Sequence, residues 1–302
     1  MKIHIAYNLK SGPWGGGNQF LKALQKTLIA SGDYSELVSK SDALIFNSYN
    51  DLWPILKSYF LYPKKKIIYR LGPIFSTYRK GLRWKFIDKI TVVFANLFSD
   101  LTIFQSNWSY EKAKEFGFSR NKKYTIILNA VDASVFYKKE YKEKKAGEKI
   151  KLIYSSWSSN MKKGFAYLKF LDENLDFTKY EMTFVGNSPF VFKNIKIIKP
   201  LESVKLAEKL RESDIFISPV EDDACSNALL EGLASGLPAV SLKSGGNPEL
   251  VGLGGELFSN ERELLESIDK VAGNLNFYQN GIKVKKIEEI GREYVIAIKT
   301  VC

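Results

Sequence analysis

The chain alternates short apolar runs with longer segments whose apolar residues recur at helical spacing. In the first half, Lys2–Tyr7, Ala43–Asn47, Lys66–Tyr69, Leu101–Gln105 and Tyr124–Leu128 predict strands. Between them, Gly17–Ser31, Leu52–Leu61, Tyr78–Phe98 and Trp108–Phe116 predict helices. The run Tyr137–Lys149 is charged, has no apolar period and reads as a linker. A second alternation then begins. Strands are predicted at Lys151–Ser155, Tyr180–Val185, Ile195–Ile198, Ile215–Ser218 and Ala239–Leu242. Helices are predicted at Gly164–Leu175, Ser203–Glu212, Ser226–Ser235 and the amphipathic Val284–Thr300. Strands alternating with helices imply parallel sheets covered on both faces. The expected fold is α/β, with two Rossmann-like domains at residues 1–143 and 144–285. A C-terminal helix within 286–302 is expected to pack back on the first domain. Ligands of such sheets bind outside the carboxyl ends of the strands, so a cleft between the domains is the expected site.

Composition narrows the chemistry. The 302 residues are 45% hydrophobic and 26% charged, which suits two globular domains. The two cysteines, Cys225 and Cys302, make neither a disulfide framework nor a metal-ligand spacing, and a reducing cytoplasmic setting is expected. The single histidine, His4, falls in the first predicted strand, so a His base, a His-bound metal or a Ser–His pair has little material. The N-terminal apolar run is too short for a signal peptide, and no run approaches the ~18 apolar residues of a spanning helix.

Charge is unevenly placed. The formal net charge is +12, and residues 1–140 hold 22 Lys/Arg against 10 Asp/Glu, so the remainder is balanced. A basic half points to an anionic partner or to nothing more than a lysine-rich surface. The stretch from Tyr78 to Ile87 interleaves cations with aromatics. Peripheral contact with an anionic membrane through residues 76–98 is one expectation, and a packed helix with a solvated basic face is the other. No nucleic-acid-binding module is recognisable, so no nucleic-acid partner is expected.

The most informative stretch runs from Ser218 to Val240. A strand ends at Ser218, a polar loop follows, and Ser226 and Asn227 open an apolar helix. Free N–H groups at such a helix start suit a phosphate. Asp223 precedes the helix and Glu231 lies eight residues later, within it, and carboxylates are acceptor-only groups that suit sugar and ribose hydroxyls. The plainer readings are a helix-start acid and a solvated face residue. Cys225 reads as a small buried filler without a His partner. Gly15-Gly16-Gly17 follows the first strand and opens a helix, which fits either a tight turn or a loop facing a ligand. Arg70 ends a strand and reads as an acceptor contact or as the partner of a carboxylate.

The stretch from Asp223 to Pro238 closely resembles the donor-binding motif of the family-4 retaining glycosyltransferases of GT-B fold. That motif has an acid, seven residues, Glu, a small-residue helix and Gly-Leu-Pro. Gly245-Gly246-Asn247-Pro248-Glu249 resembles its next element, and Lys163-Gly164 its Lys-Gly. The segments 12–18 and 127–132 resemble first-domain loops of the family. The chain departs in having Asp223 in place of Glu, Ala130 where Gly is common, and no Arg in the segment 155–160 before Lys163. The resemblance implies a hexosyl transfer, with retention and without a metal ion or other cofactor, from a nucleotide diphosphate sugar to a hydroxyl of a glycan, a lipid-linked acceptor or another molecule. Lys163 would meet the diphosphate, Asp223 the donor sugar and Glu231 the ribose. The loops at Gly186-Asn187 and Pro200-Leu201 would hold the nucleobase, and Gly15–Gly17, Cys225, Ser226 and Asn227 would complete the donor contacts. Arg70 and Asn129 are the acceptor candidates. Domain closure would keep water out. Two alternatives stand beside this reading: a sugar-nucleotide epimerase or hydrolase of the same fold, and a non-enzymatic binder of an anionic polymer.

Overall fold

The computed structural model describes residues 1–10, 16–47, 51–72, 74–77, 79–138 and 147–302. It contains two compact units, one of Met1–Ala130 with Lys285–Cys302 and one of Val131–Val284. Much of the polar run around 137–149, together with Gly15, Pro73 and Tyr78, lies outside the described residues.

The first unit is built on a parallel sheet of β1 (Ile3–Ile5), β2 (Ala43–Asn47), β3 (Lys66–Arg70), β4 (Leu101–Phe104) and β5 (Tyr124–Ile126), side by side in that order. The far edge of β1 carries a single bridge to Tyr34. Alternate residues enter two different cores. Ile3, Ile5, Ala43, Ile45 and Ile68 pack on one face, and Leu44, Phe46, Ile67 and Tyr69 on the other. This is why these strands read as continuous apolar runs and not as an alternation.

The first face is covered by α1 (Gly16–Ala30) and α11 (Ile287–Lys299). Ile287, Ile290, Tyr294 and Ile298 of α11 join Leu21, Leu24 and Leu28 of α1, and each fully buried apolar side chain contributes roughly 1.5–3 kcal/mol. The helices approach closely at Gly291, where an added Cβ would lie 2.5 Å from Thr27 Cγ2. The opposite face is covered by α2 (Leu52–Leu61), α3 (Leu82–Phe98) and α4 (Asn107–Glu115). The helix expected from Tyr78 starts only at Leu82, because Gly81 takes φ 114° and interrupts the helical path.

The second unit has β6 (Ile150–Ser156), β7 (Tyr180–Gly186), β8 (Lys196–Ile198), β9 (Ile215–Ser218), β10 (Ala239–Leu242) and β11 (Gly255–Phe258), all parallel. Their spatial order is β11-β10-β9-β6-β7-β8. The chain winds outward from β6 through β7 and β8, then returns to β9 on the other side. That is the doubly wound order with its reversal between β6 and β9. The connecting helices include α5 (Phe165–Asn174), α6 (Ser203–Arg211), α7 (Asn227–Ala234) and α8 (Asn247–Val251). The segment around Gly245 to Val251, expected as a turn, ends in α8, with Pro248 in its first turn. β11, α9 (Glu261–Ala272) and α10 (Leu275–Gly281) complete the unit and have no counterpart among the expected elements. Residues 131–138 pack with the second unit: Arg211 donates to Val135 O at 3.0 Å and stacks on Tyr137 at 4.3 Å.

Candidate functional site

The strand order reverses between β6 and β9, and in open sheets of this kind ligands bind outside the carboxyl ends of the strands at such a reversal. The loop after β6 turns where Asn160 Oδ1 accepts from Lys162 N at 2.9 Å. It leaves through Gly164 at φ 82°. A Cβ there would lie 2.3 Å from Pro219 O, so only glycine lets this loop meet the loop after β9 so closely. Glu221 N then donates to Lys162 O at 2.9 Å.

Two consecutive lysines consequently face two consecutive aspartates. Lys162 Nζ lies 2.6 Å from Asp222 and 3.4 Å from Glu221, and Lys163 Nζ lies 3.0 Å from Asp223. All four of these Lys and Asp side chains are half-buried. Tyr154 OH donates to Lys163 O at 2.8 Å and fixes the backbone behind the second lysine.

The turn that presents Asp223 is built by the downstream glycines. Asp222 has φ 52°, the only positive φ of a non-glycine among the described residues, and its N–H donates to Ser244 Oγ at 3.0 Å. Gly245, at φ 60°, comes so close that a Cβ would sit 2.3 Å from Asp223 O. Gly246 N donates to that same oxygen at 2.8 Å, and Cys225 N donates to Asp223 Oδ1 at 3.2 Å. Asn247 Nδ2 ties Val220 O and Leu242 O together at 3.0 and 3.1 Å. The two glycine-bearing motifs of the sequence thus form one structure around Asp223.

α7 starts at Asn227, with Ser226 as its cap accepting from Leu229 N at 3.4 Å. Gly232 lets the helix lie close on the sheet, since a Cβ would meet Phe216 Cγ at 2.5 Å. Glu231 is the fifth residue of this helix, just over one turn in. The residue as a whole is half-buried, and its carboxylate takes part in no hydrogen bond or ion pair among the described residues. Desolvation by burial pushes it up to about 8. Gly186, at φ 148°, lies where a Cβ would be 1.9 Å from Ser156 O. Asn187 Nδ2 donates to Trp157 O at 2.7 Å, so the loop after β7 braces the loop after β6. Pro200 and Leu201 follow β8 at the sheet edge, two strands from β6.

In the first unit, Gly16 and Gly17 lie in the first turn of α1, and Asn18 bonds both N and O of Lys10 at 2.8 and 3.0 Å. Arg70 and Asn129 do meet. Arg70 is 3% exposed, donates to Asn47 Oδ1 at 2.5 Å and to Asn129 Oδ1 at 2.7 Å, and stacks on Phe20 at 4.8 Å. Asn47 N in turn donates to Asp51 at 2.5 Å. Burial outweighs that hydrogen bond and pushes Asp51 up to about 6. Asn47 and Asp51 were not singled out in the sequence, where they simply end a strand and precede a helix. The sequence offers Lys162 as a cation for the phosphate in place of the missing Arg, whereas Asp222 and Ser244 were not singled out as site residues. Their one sequence signal is that Lys-Lys and Asp-Asp recur at the same offset.

Among the described residues, no three His, Cys, Asp or Glu side chains gather as a metal-binding group, and no helix is long and apolar enough to cross a membrane.

Residues 165–274 match the family model of glycosyl transferases group 1, a span that holds Asp223, Glu231 and the Gly245–Glu249 turn. Comparison with curated protein sequences finds no match. Solved structures align along nearly the whole chain. HepE from Anabaena, crystallised with UDP-glucose, has a TM-score of 0.76 at 15% identity, covering 99% of this chain and 100% of its own. The lipopolysaccharide outer core galactosyltransferase WaaB has a TM-score of 0.71 at 13% identity, covering 99% of each chain. Sucrose-phosphate synthase from Thermosynechococcus elongatus has a TM-score of 0.70 at 12% identity, covering 99% and 97%. The fold is that of the GT-B glycosyltransferases. The chain thus shares the fold of these glycosyltransferases, and the part of its second unit from 165 to 274 is similar to the group 1 glycosyltransferase model.

Proposed function

We propose that the protein transfers a hexosyl group, with retention and without a metal ion, from a nucleotide diphosphate sugar to an acceptor hydroxyl. The observation that carries this reading is the Lys163–Asp223 pair at the strand reversal, just before α7 and its Glu231, whose carboxylate has no partner among the described residues. The bond between the anomeric carbon and the diphosphate breaks, and charge grows on the departing phosphate oxygen. Lys163 Nζ and the N–H groups at the start of α7 are the donors for that charge. Asp223 takes sugar hydroxyls, and Glu231 accepts from the ribose diol.

Lysines do the cation's work in this account, and the engagement of Asp222 and Asp223 by Lys162 and Lys163 supports it. The one histidine, His4, lies in β1 with Nδ1 3.0 Å from Ser35 O. That supports a reaction in which the leaving phosphate oxygen, and no imidazole, takes the acceptor proton. Gly186-Asn187 and Pro200-Leu201 are the candidate nucleobase contacts, and Arg70 with Asn129 the candidate acceptor contact in the first unit. The acceptor would be a glycan or lipid-linked hydroxyl.

UDP-glucose is the first donor to test, because HepE binds it. Nucleoside diphosphate release from a panel of sugar nucleotides tests the activity, and NMR of the product gives the anomeric configuration. Slow release that depends on Lys163 is the expected result. Absence of both release and binding across the panel would refute the proposal.

A further inference from the structure

The outward faces of α2 and α3 form an apolar and basic surface on the first unit. Both helices cover the same face of the sheet. Ile55 of α2 and Val92 and Ala95 of α3 enter one core, and Tyr59 meets Phe98 edge to face at 5.2 Å. On α3 the buried positions are Asp88, Thr91, Val92 and Ala95. The opposite stripe, Leu82, Phe86, Val93 and Leu97, stands in solvent, with Leu82 82% and Phe86 65% exposed. On α2 the outward stripe begins with Trp53, 72% exposed, and Phe60, 70% exposed, and Lys57 lies between them at helical spacing. Large apolar side chains gathered this way mark a contact site.

The charge on this face has one sign. Lys57, Lys64, Lys80, Arg83 and Lys85 are exposed. The acids within residues 51–99 are Asp51 and Asp88, both buried, and Asp88 is occupied by Phe75 N and Ser76 N at 2.8 and 2.7 Å. Asp100 is held by Lys66 and Ile67 N. Arg79 stacks on Trp84 at 4.2 Å and stiffens the entry to α3.

We propose that this face docks the protein on a bilayer that contains anionic lipid. The Trp and Phe side chains enter the headgroup boundary, and the lysines meet lipid phosphates. Amphipathic helices with aromatic tips and cationic flanks have the chemistry of that boundary. Two adjacent helices presenting it together exceed what α3 would bind alone. The inference is independent of the glycosyltransferase reading, because its readout is partition and not turnover.

The test is co-sedimentation of the full chain with phosphatidylcholine vesicles containing about 30 mol % phosphatidylglycerol, against phosphatidylcholine alone. Binding is expected to the anionic vesicles and to weaken with salt. Each lysine near such a surface is worth about fivefold in partition, so K57E/K64E/K85E should weaken binding by about a hundredfold or more. W53S/F60S/F86S should weaken it at least about tenfold. All six positions are exposed, so far-UV circular dichroism and the unfolding midpoint should stay close to wild type. The proposal is overturned if the wild type ignores anionic vesicles or if charge reversal leaves binding intact. It is also overturned if the face proves to be a dimer contact, with W53S/F60S/F86S converting a dimer to a monomer in sedimentation velocity.

Discussion

Lys163 Nζ lies 3.0 Å from Asp223 Oδ2, across the point where the second sheet reverses. The cation assigned to the diphosphate and the acid assigned to the sugar thus neutralise each other before a donor arrives. The two side chains keep 32% and 25% of their surface exposed, and pairs of that kind contribute about 0–1 kcal/mol net. Asp223→Ala should therefore lower the unfolding free energy by no more than about 1 kcal/mol in urea titration. A loss above about 3 kcal/mol would assign Asp223 to the framework and not to the ligand.

Glu231 makes stability depend on pH with a definite sign. Its folded carboxyl is raised from 4.5 to about 8 by burial, so the folded chain holds a proton that the unfolded chain releases. The stability it contributes is complete below about pH 4.5 and is lost as pH rises through about 8. Wild type should be less stable at pH ~8 than at pH ~5.5, and Glu231→Gln should flatten that difference in paired urea titrations. Equal slopes in both proteins would remove Glu231 as the source.

Donor binding should reverse the same shift. If ribose hydroxyls donate to the ionised carboxylate, as proposed, binding near neutral pH should release a proton. Calorimetry in two buffers of different ionisation enthalpy reads that release, and Glu231→Gln should abolish it. An unchanged proton count in the variant would separate Glu231 from the ribose.

The turn under Asp223 should be more sensitive to shape than to charge. Gly245→Ala puts a Cβ 2.3 Å from Asp223 O, whereas Gly252, at φ 50°, has nothing within 4 Å of its Cβ position. Both alanines carry a positive-φ penalty of about 1–3 kcal/mol, and only the first displaces Asp223. Transfer should fall at least about tenfold in Gly245→Ala. In Gly252→Ala it should stay near wild type. Equal losses would mean that strain alone is being measured.

If Lys163 and the start of α7 carry the developing charge, as proposed, turnover should survive excess EDTA. Loss of activity on chelation, restored by Mn²⁺, would replace that account of leaving-group stabilisation.

Much of the fold was legible because parallel strands covered on both faces are apolar throughout. Ala43–Asn47 and Ile215–Ser218 match the expected bounds for that reason. β11 was not legible, since Gly255-Glu256-Leu257-Phe258 has too little apolar run and owes its place to pairing with β10. α9 does carry a signal, with Asn260 as cap and Leu264, Ile268 and Val271 at helical spacing, which the strand-by-strand reading passes over. In the site, Asp223 and Glu231 announce themselves by their eight-residue spacing across one helix start. The lysine pairs do not, because an offset of sixty residues means nothing until β6 and β9 are neighbours. The buried Arg70–Asn47–Asp51 chain is invisible for the same reason: it needs β2 and β3 in register.

The most direct test of the central claim is calorimetry of UDP and UDP-glucose on wild type, Lys163→Ala and Asp223→Ala, with the panel extended to other bases if UDP does not bind. A charged hydrogen bond to phosphate is worth about 1.5–3 kcal/mol, so Lys163→Ala should weaken both ligands by about tenfold to a hundredfold. Asp223→Ala should leave UDP binding intact or strengthen it severalfold, since Lys163 is freed from its carboxylate, while weakening UDP-glucose. Equal weakening of both ligands in Asp223→Ala would contradict a sugar-binding role and leave a nucleotide site without a transferase.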